Sequence, residues 1–241
     1  MKKFFKTQPI FIILSLILVS GCSYQNELVN DAMDPLESSN RSIYAFNENL
    51  DETILEPAAD GYDYITPNFL QKGFNNFFDN INYPITIINQ LLQGNIEKSL
   101  QDTLRFTVNS TIGVLGLFDP ASSIGLSEHD EDFGQTLAVW GVKEGPYLML
   151  PFFGPKTLRS LAGDLTDVLF NPLLNIDDTN LKIKTNLISI LQDRSDLSTL
   201  EEELDNSFDP YQYIKDSYLQ NRNYKISNGN IAEEDDFDFD F

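Results

Sequence analysis

Apolar residues recur along most of this chain at steps of three and four, and no run alternates apolar with polar residues between hairpin turns. That period places side chains on one face of a helix. The chain is therefore expected to be all-α, a single helical domain with few or no strands. Asp34 and Pro35 suit a cap and a first helical position for a helix over Leu36–Leu50, whose spacing is carried by Ile43, Phe46 and Leu50. Between Ile54 and Thr66 the chain passes Pro57 and Gly61, and no helix is assigned there. A second helix starts at Pro67, with Phe69 or Leu70, Phe74, Phe77 and Phe78 on one side. It is expected to break at Tyr83-Pro84, because proline removes a helical N–H. Ile85, Ile88, Leu91 and Leu92 then resume the spacing as far as Gly94-Asn95. From Ile96 to about Ile112 a further helix sets Leu100, Leu104 and Val108 on one face.

The second half is more punctuated. Leu115 to Ser127 carries the Gly, Pro and Ser of a loop, and Asp132 suits the cap of a short helix from Phe133 to Trp140, stopped by Gly141. Residues Gly145 to Pro155 are apolar but hold three prolines and two glycines. Such a segment is too interrupted for a regular helix or a central strand, and too apolar for a free surface loop. It is expected to be buried or to face something other than water. Lys156–Leu169, Leu181–Leu191 and, behind a cap-like Asp209-Pro210, Tyr211–Leu219 complete the helical content. The end of the chain, with Phe237, Phe239 and Phe241 alternating with acids, is too charged to pack alone.

Cys22 is the only cysteine, so no intramolecular disulfide is available and the core must supply the stability. It follows Lys2, Lys3 and Lys6, an apolar run and Ser20-Gly21, the pattern of a secretory signal with small residues at its cleavage site. The stretch resembles a bacterial lipobox, in which the cysteine becomes the first residue and is acylated. The apolar run of about ten to twelve residues falls short of the roughly twenty that a membrane span needs. Two or more acyl chains on one residue hold a protein stably to a bilayer. Residues 1–21 are thus expected to be a lipoprotein signal peptide, 22–33 an acylated tether, 34–224 the helical domain and 225–241 an acidic disordered tail. Ser23 after the cysteine, in place of Asp, directs such a protein to the outer membrane by resemblance to lipoprotein sorting rules.

Charge and the inventory of reactive groups exclude several functions. With 16 basic and 37 acidic residues the net charge is -21, and removing the three signal lysines makes it about -24. Nucleic acid is an unsuitable partner for such a chain. Contact with a membrane must be apolar or acyl-mediated rather than polybasic. His129 is the sole histidine and lies in the run Glu128-His129-Asp130-Glu131-Asp132; no Gly-x-Ser-x-Gly elbow accompanies it, so a hydrolytic triad is not expected. The acidic run does not have the spacing of an EF-hand loop, and a dedicated zinc site lacks ligands. Gly113-Val114-Leu115-Gly116 is followed by no Lys-Ser or Lys-Thr and is no phosphate loop. No catalytic residue, metal or cofactor is expected.

The order of short motifs is more specific than any of them alone. Asp34-Pro35-Leu36-Glu37 is followed by Asn40-Arg41 through Phe46-Asn47, then by Gly73-Phe74-Asn75-Asn76-Phe77, Asn89-Gln90-Leu91-Leu92-Gln93-Gly94, and Gly116 through Ala121. Asp132-Phe133-Gly134-Gln135-Thr136-Leu137, Trp140-Gly141, Gly145-Pro146-Tyr147, Leu150-Pro151, Gly154 and Thr157-Leu158-Arg159 complete the series. In this order, over roughly Asp34 to Tyr218, the chain resembles the MlaA (VacJ) family of outer-membrane lipoproteins. It departs from the family pattern at Ser38-Ser39, at Glu56 before Pro57 and at Ser160 after Arg159. The resemblance implies a helical ring in the inner leaflet of the outer membrane with a central channel, beside a trimeric porin. It implies removal of misplaced phospholipid from the outer leaflet and its transfer to a soluble periplasmic carrier. On that footing Tyr147, Leu148, Leu150 and Phe153 are candidates for the channel or its gate, with Lys143 or Arg159 meeting phosphate. The alternative is a structural lipoprotein that braces a porin assembly without moving lipid.

Overall fold

A computed structural model describes residues 33–171, 179–197, 203–204 and 206–229. Cys22, nearly all of its tether and the acidic end lie outside the described residues. Helix α1 is Glu37–Leu50; a five-residue π-helical turn, Asp51–Leu55, joins it to α2, Glu56–Ile65. Helices α3, Asn68–Leu92, and α4, Ile96–Thr111, pack against each other more extensively than any other two elements among the described residues. A single turn, α5, Pro120–Ser123, precedes α6, Phe133–Val139. Strands β1, Tyr147–Leu150, and β2, Gly154–Thr157, lead into α7, Leu158–Asp167, and a 3-10 turn, Val168–Phe170. Helices α8, Thr179–Leu197, and α9, Pro210–Ile226, come last.

Four local expectations are corrected. The chain does not break at Tyr83-Pro84: α3 continues through Pro84. One lost N–H is tolerated because α4 packs along α3 and fastens it on both sides of the proline, through Asn80 Nδ2 to Ser110 Oγ (2.9 Å) and through Ser99 Oγ to the Ile87 carbonyl (3.1 Å). Asp34 does not cap α1; its carboxylate is buried and accepts from Asn40 Nδ2 (2.8 Å) and the Tyr211 hydroxyl (2.6 Å). Residues 51–65, unassigned from sequence, are helical, with Pro57 in the first turn of α2 where its missing N–H costs nothing. Gly145 to Pro155, expected to be irregular, is largely an antiparallel hairpin pairing Tyr147 with Thr157 and Leu150 with Gly154. Its prolines are accommodated because Pro155 lies on β2, which has no further strand beyond it, Pro146 precedes β1, and Pro151 sits in the turn.

Element contacts close on themselves. α1 meets β1; the π turn leads to α2; α2 meets α8; α8 meets α3; α3 meets α6; α6 meets α7; α7 meets β2, which pairs with β1. α9 lies across this circuit against α6 and β2. Among the described residues the apolar core cluster is small: Tyr147, Met149 and Tyr211, with Ile43, Tyr44, Ile214, Tyr218 and Leu219 packed against it. Among the described residues, no helix is long and apolar enough to cross a membrane.

Candidate functional site

The longer helices of the first half are amphipathic, but the side that α3 and α4 bury is largely the polar one. Among the described residues, eighteen polar or charged side chains are buried against eight apolar ones. On α4 the buried face carries Ser99, Asp102, Arg105 and Asn109, while Leu100 and Leu104 are 66% and 51% exposed. A water-soluble helix shows the reverse pattern. Val114, Leu115 and Phe118 in the following turn, Phe152 and Phe153 at the hairpin tip, and Leu165 and Leu169 are exposed as well. Apolar surface on this scale marks contact with a membrane or another apolar body. Trp140 fits such a boundary, with an exposed ring and an indole N–H that donates to the Leu92 carbonyl (3.1 Å).

Inside, buried polar groups satisfy one another. Arg105, 5% exposed at its side chain, donates to Ser122 Oγ (2.9 Å), the Leu126 carbonyl (2.8 Å), Asp119 Oδ2 (2.8 Å) and Glu128 Oε2 (3.2 Å). It thereby ties the 119–128 loop to α4. Burial pushes the Asp119 carboxyl up, but hydrogen bonds from Ser122, Asn109 and Arg105 outweigh this and hold it at about 2. Tyr83 donates to Asp102 Oδ1 (3.1 Å), which also sits 2.7 Å from His129 Nδ1. His129 is therefore a pairing partner of a buried carboxylate. Asn89 links Thr136 Oγ1 (2.7 Å) to Asp167 Oδ1 (3.2 Å), joining α3, α6 and α7.

The acidic run around His129 is distributed rather than clustered. Glu128 reaches Arg105, Asp130 reaches Lys225, Glu131 accepts from Gln90 and Gln93, and Asp132 takes both guanidinium nitrogens of Arg222. Asp132 also caps α6 through the Gln135 N–H (2.9 Å). Burial pushes Asp132 up, but the Arg222 hydrogen bond prevails and its pKa lies below the ordinary value. Burial raises Glu131 above the usual carboxylate range. Among the described residues no group of three or more His, Cys, Asp or Glu could hold a metal. α6 and α7 approach closely at Gly134 and Gly163, where a Cβ on Gly163 would stand 2.3 Å from the Gly134 nitrogen.

The hairpin is held by two asparagines that the sequence presents only as motif residues. Asn40 and Asn47 lie seven residues apart on α1, two turns along one face. Asn40 donates to the Tyr147 carbonyl (3.2 Å) and accepts from the Met149 N–H (2.9 Å). Asn47 donates to the Leu150 carbonyl (2.9 Å) and accepts from the Phe152 N–H (2.9 Å). These amides act as a neighbouring strand would, satisfying an edge that could not be left unpaired away from water. Beside them Arg41 stacks on Tyr211 and forks onto both Asp209 oxygens (3.0 and 2.7 Å). Phe46 packs edge-on against Phe152.

The candidates drawn from Gly145–Pro155 fall in distinct settings. Tyr147 is fully buried against Tyr211 and Tyr218, and burial raises its pKa above the ordinary phenol value. Leu148 and Leu150 are half-buried; Phe153 and Lys143 are exposed. Arg159 is turned inward, donating to the Val142 carbonyl (3.0 Å) and lying 3.6 Å from Glu144, so it pins the segment before the hairpin. Pro146, Pro151, Gly145 and Gly154 bracket the strands, both glycines at positive φ, 74° and 69°. Sequence reasoning did not bring together a second feature, a cleft of about 260 Å³ between β2, α7, α9 and the start of α6. Lys156, Ser160, Asp164, Tyr218, Arg222 and Asp132 are among its lining residues.

A closed helical circuit with a polar interior, an apolar exterior and no helix able to cross a membrane among the described residues defines a class of membrane-seated amphipathic proteins. The family model of the MlaA lipoprotein matches residues 32–225. The chain belongs to the MlaA lipoprotein family. A solved structure described as the structural basis for maintenance of bacterial outer membrane lipid asymmetry superimposes with a TM-score of 0.72 at 32% identity, covering 80% of this chain and 98% of that one. The intermembrane phospholipid transport system lipoprotein MlaA of Haemophilus influenzae is 30% identical over 235 residues, 95% of this chain and 94% of the relative. Its counterpart in Escherichia coli K12 is 30% identical over 226 residues, 92% and 90% of the two chains. An uncharacterized protein of Rickettsia bellii is 36% identical over 210 residues, 86% and 80%.

Proposed function

We propose that this lipoprotein takes misplaced phospholipid out of the outer leaflet of the outer membrane and passes it to a soluble periplasmic carrier. The single observation that carries the reading is the inverted partition: buried Asp102, Arg105, Gln90 and Gln135 against exposed Leu100, Leu104, Phe152 and Phe153. A headgroup crossing a bilayer needs a polar route, and tails beside it need apolar surroundings. A closed circuit of amphipathic helices supplies both without spanning the membrane. No nucleophile is required, and net direction is set by whatever binds the lipid next. Acyl chains on Cys22 hold the body in the inner leaflet, beside a trimeric porin. The hairpin borders the route, with Leu148, Leu150 and Phe153 on its wall and Lys143 at its mouth, while Tyr147 and Arg159 fix its base.

Deleting the gene and measuring outer-leaflet phospholipid tests the reading: accumulation is expected, and restoration by the wild-type chain but not by Cys22→Ala. Transfer of labelled lipid from vesicles holding the purified protein to a soluble acceptor should depend on the protein. Unchanged leaflet composition together with no transfer would leave the protein as a brace for a porin assembly, and the transport reading would fall.

A further inference from the structure

We propose that the cleft between α7 and α9 binds a lipid headgroup that carries both a phosphate and a primary ammonium. The assignment rests on the lipid-handling reading and names the chemistry of its cargo. At about 260 Å³ the cleft lies just below the roughly 300–1,000 Å³ of sites for drug-sized ligands, so it takes a headgroup and leaves the tails outside. One of its walls is β2, the second strand of the hairpin that borders the proposed route.

Its lining is charged with both signs. Lys156, Arg222 and Lys225 supply cations, and Asp132 and Asp164 supply anions. These groups are not equivalent. The Arg222–Asp132 pair is bidentate, with side chains only 11% and 26% exposed, and Asp132 also caps α6. That pair is a fixed wall. Lys156 Nζ lies 2.7 Å from Asp164 Oδ2 with the two side chains 27% and 41% exposed, and Lys225 reaches Asp130 at the rim, where the carboxylate is 72% exposed. These pairs are single contacts and partly open to solvent, so they are held less firmly than the Arg222–Asp132 wall and yield to a ligand first. The Ser160 hydroxyl and the Tyr218 hydroxyl, 2.6 Å apart, complete the polar lining between them.

A phosphate that takes Lys156 and Lys225 leaves Asp164 without its cation. A primary ammonium on the same ligand returns one, with three donors for the carboxylate. A quaternary ammonium has no such donors and calls for an aromatic cage, whereas Tyr218 is the one aromatic side chain lining the cleft among the described residues. A purely anionic headgroup leaves Asp164 unpaired and enters the field of a chain with net charge -21. Phosphoethanolamine has the complementary pattern.

The test titrates the detergent-purified full chain with glycerophosphoethanolamine, glycerophosphoglycerol and inorganic phosphate, followed by ³¹P NMR. Glycerophosphoethanolamine should bind at least about tenfold more tightly than the other two, the loss expected for one unmade charge-assisted bond. Asp164→Asn should erase that preference, and Lys156→Gln should weaken glycerophosphoethanolamine and glycerophosphoglycerol together. Unchanged melting temperatures separate these effects from unfolding, and Lys225→Gln at the rim offers a second variant remote from the packed core. Equal binding of inorganic phosphate would make this a phosphate site and overturn the proposal, as would equal binding of the two glycerol esters or none. Lipid transfer is measured on the same preparation. Transfer without headgroup preference in the cleft sinks this assignment alone, whereas no transfer together with unchanged outer-leaflet phospholipid sinks the transport reading.

Discussion

Replacing Leu100 and Leu104 by serine tests the inverted partition directly. Both project from α4 on the side opposite Asp102 and Arg105, and they are 66% and 51% exposed. Fully removing a leucine side chain from water is favourable by about 1.5–3 kcal/mol. The uncovered fractions therefore leave about 1–2 kcal/mol for Leu100 and about 0.8–1.5 kcal/mol for Leu104 to be gained in an apolar medium, or about 2–3.5 kcal/mol together. At 1.4 kcal/mol per tenfold, the double variant should partition into vesicles roughly 30- to 300-fold more weakly. The assay is sedimentation with zwitterionic vesicles, with exposed Trp140 as an intrinsic probe, in a Cys22→Ala background so that acylation does not mask the change. Stability in detergent should move by less than about 1 kcal/mol, because neither side chain is core. A loss of partitioning below about threefold would mean that this face does not meet lipid. A large fall in stability with partitioning unchanged would mean that the leucines pack against protein, and either result refutes the inverted partition.

Arg105→Ala removes the cation from a buried network and should cost about 3–5 kcal/mol, read as a fall in melting temperature of some 6–20 °C for a domain of this size. Arg105→Lys should recover only part of it, since a lysine cannot reproduce the fork that reaches Ser122, Leu126, Asp119 and Glu128. Gly163→Ala drives a methyl into the backbone of α6 and should cost about 1–3 kcal/mol by thermal melting, whereas Gly61→Ala, open on all sides, should not destabilise. The pH dependence has two opposed limbs. Asp119 is depressed to about 2, so its contribution is present above its ordinary 3.8 and is lost as pH falls toward 2. Glu131 and Asp167 are raised by burial, so their contribution is present below the ordinary carboxylate range and is lost as pH rises through their raised values. Melting temperature measured against pH should therefore pass through a maximum on the acid side of neutrality, and Glu131→Gln should flatten its alkaline flank.

Helical spacing made α1 and α4 legible from the residues alone, and cap residues marked α6 and α9, Asp132 before Phe133-Gly134-Gln135 and Asp209 before Pro210. Periodicity reports that a helix has two unlike faces; it does not report which one looks inward. The apolar row Leu100, Leu104 reads the same whether it meets a core or a bilayer, and only the placement of α3 against α4 turns Asp102, Arg105 and Asn109 to the inside. The hairpin was hidden for a related reason. Its strands lack a polar-apolar alternation, and they are held by Asn40 and Asn47, more than a hundred positions away in the chain. Lys156, Asp164, Tyr218 and Arg222 show the same limit, since nothing in their spacing joins β2 to α9 and only the fold encloses them in one cleft. Residues by themselves marked most of the helices, the family resemblance and the lipobox-like motif at Cys22, because those depend on local order along the chain. Which surface is inside, and which charges share a cavity, depends on contacts between distant segments, and the tertiary structure alone decided it.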